Sequence, residues 1–92
     1  MNERELKLLL EAGAIKAVLL IAQGAAFHLE IKTAGALKVL MTGRGEVRLW
    51  RSLDSCVKWL RKAGIGQATI QIDQWQPDQK PLELNRSRKN AY

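Results

Sequence analysis

Hydrophobic and polar positions change period along the chain, and each change predicts an element. Leu6, Leu9 and Leu10 recur at helical spacing within the Leu- and Glu-rich run 3–12, where residues three and four apart share one face. Asn2 with Glu5 three positions later has the spacing of a capping box, and Gly13 supplies a stop, so a short first helix is expected. The run 15–22 is apolar and partly β-branched, which favours a strand. Period two then takes over. Phe27, Leu29 and Ile31 alternate with His28, Glu30 and Lys32; Leu37, Val39 and Met41 with Lys38, Leu40 and Thr42; Val47 and Leu49 with Glu46, Arg48 and Trp50. Turn residues at Gln23-Gly24, Ala34-Gly35 and Gly43-Arg44-Gly45 separate these runs. Four short strands joined by tight turns read as an antiparallel meander. Val18, Leu20 and Leu40 are expected on its outward side.

The period returns to helical after residue 51. Ser52 is the expected N-cap, Asp54 suits the positive end of the helix dipole, and Leu53, Cys56, Val57, Leu60 and Ala63 form a core-facing stripe. Gly64 followed by Ile65 suits a Schellman ending. Residues 68–73 read as a last strand, and Pro77 and Pro81 end the pattern. The expected fold class is therefore α+β, with element order α-β-β-β-β-α-β. A four- to five-stranded, mostly antiparallel meander carries the second helix on one face, beside a short N-terminal helix. Residues 1–75 form one domain, and 76–92 are expected to be a flexible basic tail.

Composition narrows the function classes. Ninety-two residues suit one domain of marginal stability, for which a homodimer is a common remedy. The single cysteine, Cys56, excludes an internal disulfide. The charged start does not read as a signal peptide, and no apolar run reaches the ~20 residues of a membrane span. These features together predict a cytoplasmic protein away from the membrane. The net charge of +6 is concentrated: residues 32–62 hold eight Lys and Arg against two carboxylates. Such density points to a phosphate-bearing partner or to a solvated surface.

No enzymatic constellation emerges. His28 is the only histidine and falls on the polar side of a strand; Cys56 falls on the apolar stripe of a helix, without an activating base. His28 and Cys56 are too few for a metal site, and the acidic residues are scattered. Gly43-Arg44-Gly45 lacks the spacing and the Lys-Ser/Thr of a phosphate loop. The expectation is a non-enzyme with neither cofactor nor metal. The positive signal is cationic. Arg44, Arg48 and Trp50 fall at period two on one strand, with Lys32 and Lys38 on neighbouring strands. Arg51 follows, and Lys58, Arg61 and Lys62 occupy the polar side of the second helix. Cations bind phosphates by charge and counterion release, and an exposed Trp50 could stack on an unpaired base. These nine residues form the candidate surface for DNA, duplex or single-stranded. Trp50 packed under the first helix or in a dimer interface is the competing reading. Trp59 and Trp75, at element ends, are read as packing residues.

One resemblance adds a setting. Gly45-Glu46-Val47-Arg48-Leu49-Trp50-Arg51-Ser52-Leu53-Asp54, then Leu60-Arg61-Lys62-Ala63-Gly64-Ile65, then the strand ending Ile72-Asp73 resemble the partition protein C group. These are small proteins of plasmids and integrative elements. The likeness covers roughly residues 26–75. It implies residence on a mobile element and an accessory role in partition, replication control or transfer, with DNA or a partition or transfer protein as partner. It implies no catalytic residue. The alternative is a protein-interaction module or homodimeric adaptor that does not touch DNA.

Overall fold

A computed structural model describes residues 1–76. The chain forms α1 (Glu3–Glu11), β1 (Ile15–Gly24), β2 (Ala26–Thr33), β3 (Leu37–Val39), α2 (Leu53–Ala63) and β4 (Thr69–Trp75). The architecture is α+β, with one four-stranded sheet in the order β3-β2-β1-β4. The expected basic tail lies, apart from Gln76, outside the described residues.

Capping chemistry sets the helix ends. Asn2 accepts from the Glu5 amide at 2.8 Å and opens α1. Ser52 does the same for Ser55 at 3.1 Å and opens α2. Gly64, at φ 95°, closes α2 in the left-handed region, where glycine alone is at ease. The Gly64 and Ile65 amides donate back to Arg61 and Leu60, and Ile65 is buried, which completes the Schellman ending.

Register explains the core. β1 and β2 pair antiparallel with Val18 opposite Ile31, Leu20 opposite Leu29 and Ala22 opposite Phe27. Opposed residues share a face, so one face of the sheet is apolar along both central strands. Both helices pack on that face, contributing Leu6 from α1 and Cys56 and Leu60 from α2. Val18, Leu20 and Leu40 belong to this core. The expectation that they point outward is corrected by the placement of both helices on their side. The opposite face, with Ala17, Leu19, Ile21, His28 and Glu30, bears neither helix.

Two expectations about the strands change. β4 runs parallel to β1, so the sheet is mixed, although the β1–β2 and β2–β3 pairings are antiparallel. A helix between two strands carries the chain back along the sheet, and the next strand then runs parallel to the one before the helix. The strand expected over 46–51 is also reduced to single bridges, Met41 with Val47 and Phe27 with Trp50. β2 offers one free edge, and β3 and Leu40 already occupy it up to Leu29. Only Phe27 remains for the returning chain, and Trp50 takes that place through two 2.9 Å backbone hydrogen bonds.

Candidate functional site

The nine expected nucleic-acid contacts do not gather on one face. Lys32 is paired with Ala17 and Leu37 on the helix-free face. Lys38 is paired with Ile31, so it lies on the helix side, where its Nζ stands 3.8 Å from Glu5. Arg44 sits in the exposed turn 42–46, held by Thr42, whose Oγ1 accepts from the amides of Arg44 and Glu46. Arg48 lies 3.4 Å from Glu3, and Lys58 lies 3.2 Å from Asp54. Carboxylates thus meet three of the nine. Lys58, Arg61 and Lys62 are exposed on α2, and Arg51 stands exposed just before its Ser52 cap.

Trp50 is not a surface platform. It is 9% exposed, bridged to Phe27 and packed on Trp59 with ring centroids 5.4 Å apart. Strand pairing puts it on the face of Phe27, which is the core face, and this overturns its reading as a stacking residue for bases.

The remaining reactive groups are accounted for by packing. Burial pushes the Cys56 thiol up to about 11, against a weaker opposing effect of Arg48. A thiol held neutral is a poor nucleophile. His28 lies half-buried on the helix-free face with Nε2 3.1 Å from Glu30. Among the described residues no group of three His, Cys, Asp or Glu is placed to hold a metal ion, and no helix is long and apolar enough to cross a membrane. A depression of about 890 Å³ opens between the start of β1 and residues 64–69, and Lys16 is the ionisable side chain among its described lining residues.

The flank formed by β4 and α2 is the unexpected feature. β4 is exposed along its whole length. Ile70 pairs with Leu20 and therefore lies on the helix side; Trp75 meets Phe27 there at 6.1 Å. On the facing side of α2, Leu53 and Val57 were expected in the core, but they are 39% and 40% exposed. Ile70, Ile72 and Trp75 are 45%, 55% and 43% exposed. Cys56 and Leu60 bring α2 into the core, and Val57 faces Ile70 across a gap. A notch of about 180 Å³ between Val57, Leu60, Ile65 and Ile70 marks the gap.

The two sheet edges are treated differently. β3 is three residues long, and the backbone of Met1 lies along it. The Met1 amino group donates to the Val39 carbonyl at 3.1 Å, and the Met41 amide donates to Met1 at 2.6 Å. The outer edge of β4 has no strand beside it among the described residues. The signal for this flank was present in the sequence. Residues 63–79 form the longest stretch without Lys or Arg, and Ile70 and Ile72 alternate there with polar residues.

Comparison with protein-family models, curated proteins and solved structures finds no match for this chain.

Proposed function

We propose that this chain is a protein-interaction module that works by strand addition at the open flank of β4 and α2. One observation carries the reading. A seven-residue edge strand, exposed throughout, carries the half-exposed Ile70 and Ile72, and the uncovered Val57 of α2 lines a notch with Ile70. An open edge offers main-chain donors and acceptors, and alternate side chains supply specificity. Proteins that stay monomeric guard such edges with lysine, proline or a very short strand. Thr69–Trp75 has neither lysine nor proline, and Asp73 is its one charge. The likeness to the partition-associated group would set the module on a mobile element, with a protein of that element as partner.

Paired capture tests the reading. Wild type and Ile72→Lys serve as baits in extract from the source cells, after circular dichroism and melting show that both are folded. Proteins held by wild type and lost from the variant support the flank. Identical recoveries from the two baits would remove it.

A second reading, direct nucleic-acid contact, is favoured by the exposed cations on α2 and just before it. Among the described residues Arg51, Arg61 and Lys62 have no carboxylate within ion-pairing distance. Exposed cations can follow a phosphate backbone. The set is small, and the ion pairs of Lys38, Arg48 and Lys58 weaken the field around it.

A further inference from the structure

We infer that the strand added at this flank is β4 of a second copy, paired antiparallel about a two-fold axis at Gln71, so that two four-stranded sheets join into one of eight. The inference rests on the reading of the flank as an interaction surface, and it names the occupant.

Self-complementarity is the first argument. A two-fold interface brings one patch against itself, and few patches tolerate that. In an antiparallel pair centred on Gln71, Ile70 stands opposite Ile72 of the second copy, and Ile72 opposite its Ile70. Ile70 lies on the helix side, and Ile72 falls where the pairing of β4 with β1 shifts register. Four isoleucines then meet, flanked by Val57 of each copy, and the exposed apolar area of the flank is withdrawn from water. Gln71 meets Gln71 at the axis, and each Thr69 stands opposite Asp73 of the other copy along the strand. Neighbouring registers do worse. Centring on Asp73 opposes two carboxylates, and centring on Ile70 places Ile72 opposite Ala68.

Charge is the second argument. The chain carries +6, and two copies repel wherever their basic surfaces approach. Residues 63–79 contain neither Lys nor Arg, so β4 itself brings no cation against a second copy, and Arg61 at the notch beside Ile70 is the nearest one. The third argument is the closed opposite edge. Met1 occupies the end of β3, and Lys38 stands on that strand, so chains join through β4 alone. The assembly stops at two copies and does not extend into a fibre.

Sedimentation across the micromolar range, with a cysteine trap, tests the inference. Wild type is expected to sediment at twice the 10.3 kDa of the chain. Ile72→Lys is expected to weaken self-association by at least about a hundredfold while keeping its circular dichroism spectrum. At the dyad, opposed α-carbons come within roughly 4.5–5.5 Å, a separation a disulfide spans. Gln71→Cys should therefore form a covalent dimer under mild oxidation, whereas Lys32→Cys, on the helix-free face, should not. Buried Cys56 does not compete. If Ile72→Lys fails to fold, the cysteine trap decides alone. A monomeric wild type at every concentration overturns the second copy; the wider flank reading is then judged by the paired capture. A dimer that survives Ile72→Lys, or that Gln71→Cys does not trap, places the contact elsewhere and overturns the inference.

Discussion

The guanidinium of Arg48 stands 5.1 Å from the centroid of the Trp50 ring. It also stands 5.0 Å from the centroid of Trp59, and its Nη1 reaches Glu3 on α1. One cation therefore joins α1, α2 and the segment that closes the edge of β2. A guanidinium is suited to this because its flat face stacks while its edge still donates. The arrangement turns a residue expected at a nucleic-acid surface into a structural clamp. Arg48→Ala should cost about 1–2 kcal/mol in urea unfolding, the range of a partly shielded cation–π contact. Glu3→Ala removes only an exposed ion pair and should cost less than about 1 kcal/mol. Equal costs for the two variants would show that the ion pair, and not the stacking, holds Arg48 in place.

Cys56 gives the chain an alkaline limit. Its thiol is raised by burial to about 11, whereas an unfolded thiol titrates near 8.5. The folded state binds this proton more tightly. The resulting stability is fully present below the unfolded value and is lost as pH rises through the folded one. Wild type should lose roughly 3 kcal/mol from this group between about pH 8.5 and 11. The measurement is a difference between wild type and a variant without the thiol. The urea midpoint of wild type should fall faster over that window than the midpoint of Cys56→Ala. Parallel slopes would show that the thiol meets water.

The parts of the fold legible in the sequence are those fixed by short-range chemistry. Asn2, Ser52 and Gly64 set helix ends through contacts within a few residues, and each end falls where the local residues place it. The alternation of Phe27, Leu29 and Ile31 identified the core face of β2 for the same reason. What failed depends on distant competition. Trp50 alternates as a strand residue should, but the edge of β2 was already taken up to Leu29. Leu40 and Leu37 both sit on alternating positions, and only the placement of the helices decides which of them is buried.

The candidate surface was less legible than the fold. A count of cations along the chain contains no information about Glu3 and Glu5, which reach Arg48 and Lys38 from α1 across long sequence separations. Leu53 and Val57 fit the helical stripe, yet the crossing of α2 over the sheet leaves them uncovered. The run without Lys or Arg at 63–79 was readable, but its meaning depends on β4 lying at the sheet edge, and nothing local specifies that.

Nucleic-acid affinity should be weak and shallow in salt. Three exposed cations on α2 or just before it stand clear of carboxylates: Arg51, Arg61 and Lys62. Each phosphate neutralised on duplex DNA contributes a log–log slope of roughly −0.9. A titration at two salt concentrations should give a slope no steeper than about −3, consistent with three contacts. Arg61→Ala with Lys62→Ala should remove most of it, whereas Arg48→Ala should leave it unchanged. A slope beyond about −5 would need more free cations than this set supplies, and would make nucleic acid the principal partner.

Assembly through β4 should be written into thermal stability. When folding is coupled to association, the midpoint rises with protein concentration, because dissociation accompanies unfolding. For a chain of this size 1 kcal/mol moves the midpoint by roughly 4–8 °C, so a tenfold increase in concentration should raise it by a few degrees. Leu29→Ala removes a fully buried side chain at the centre of the β1–β2 pair. It should lower the whole curve by about 2–5 kcal/mol while keeping the concentration dependence. Ile72→Lys should do the opposite. Its side chain is more than half exposed in one copy, so its midpoint should match that of dilute wild type and should no longer move with concentration. The two variants thus separate the stability of the fold from that of the contact. A concentration-dependent midpoint in Ile72→Lys would mean that copies meet through another face, the helix-free one around Leu19 and Ile21 being the next to probe.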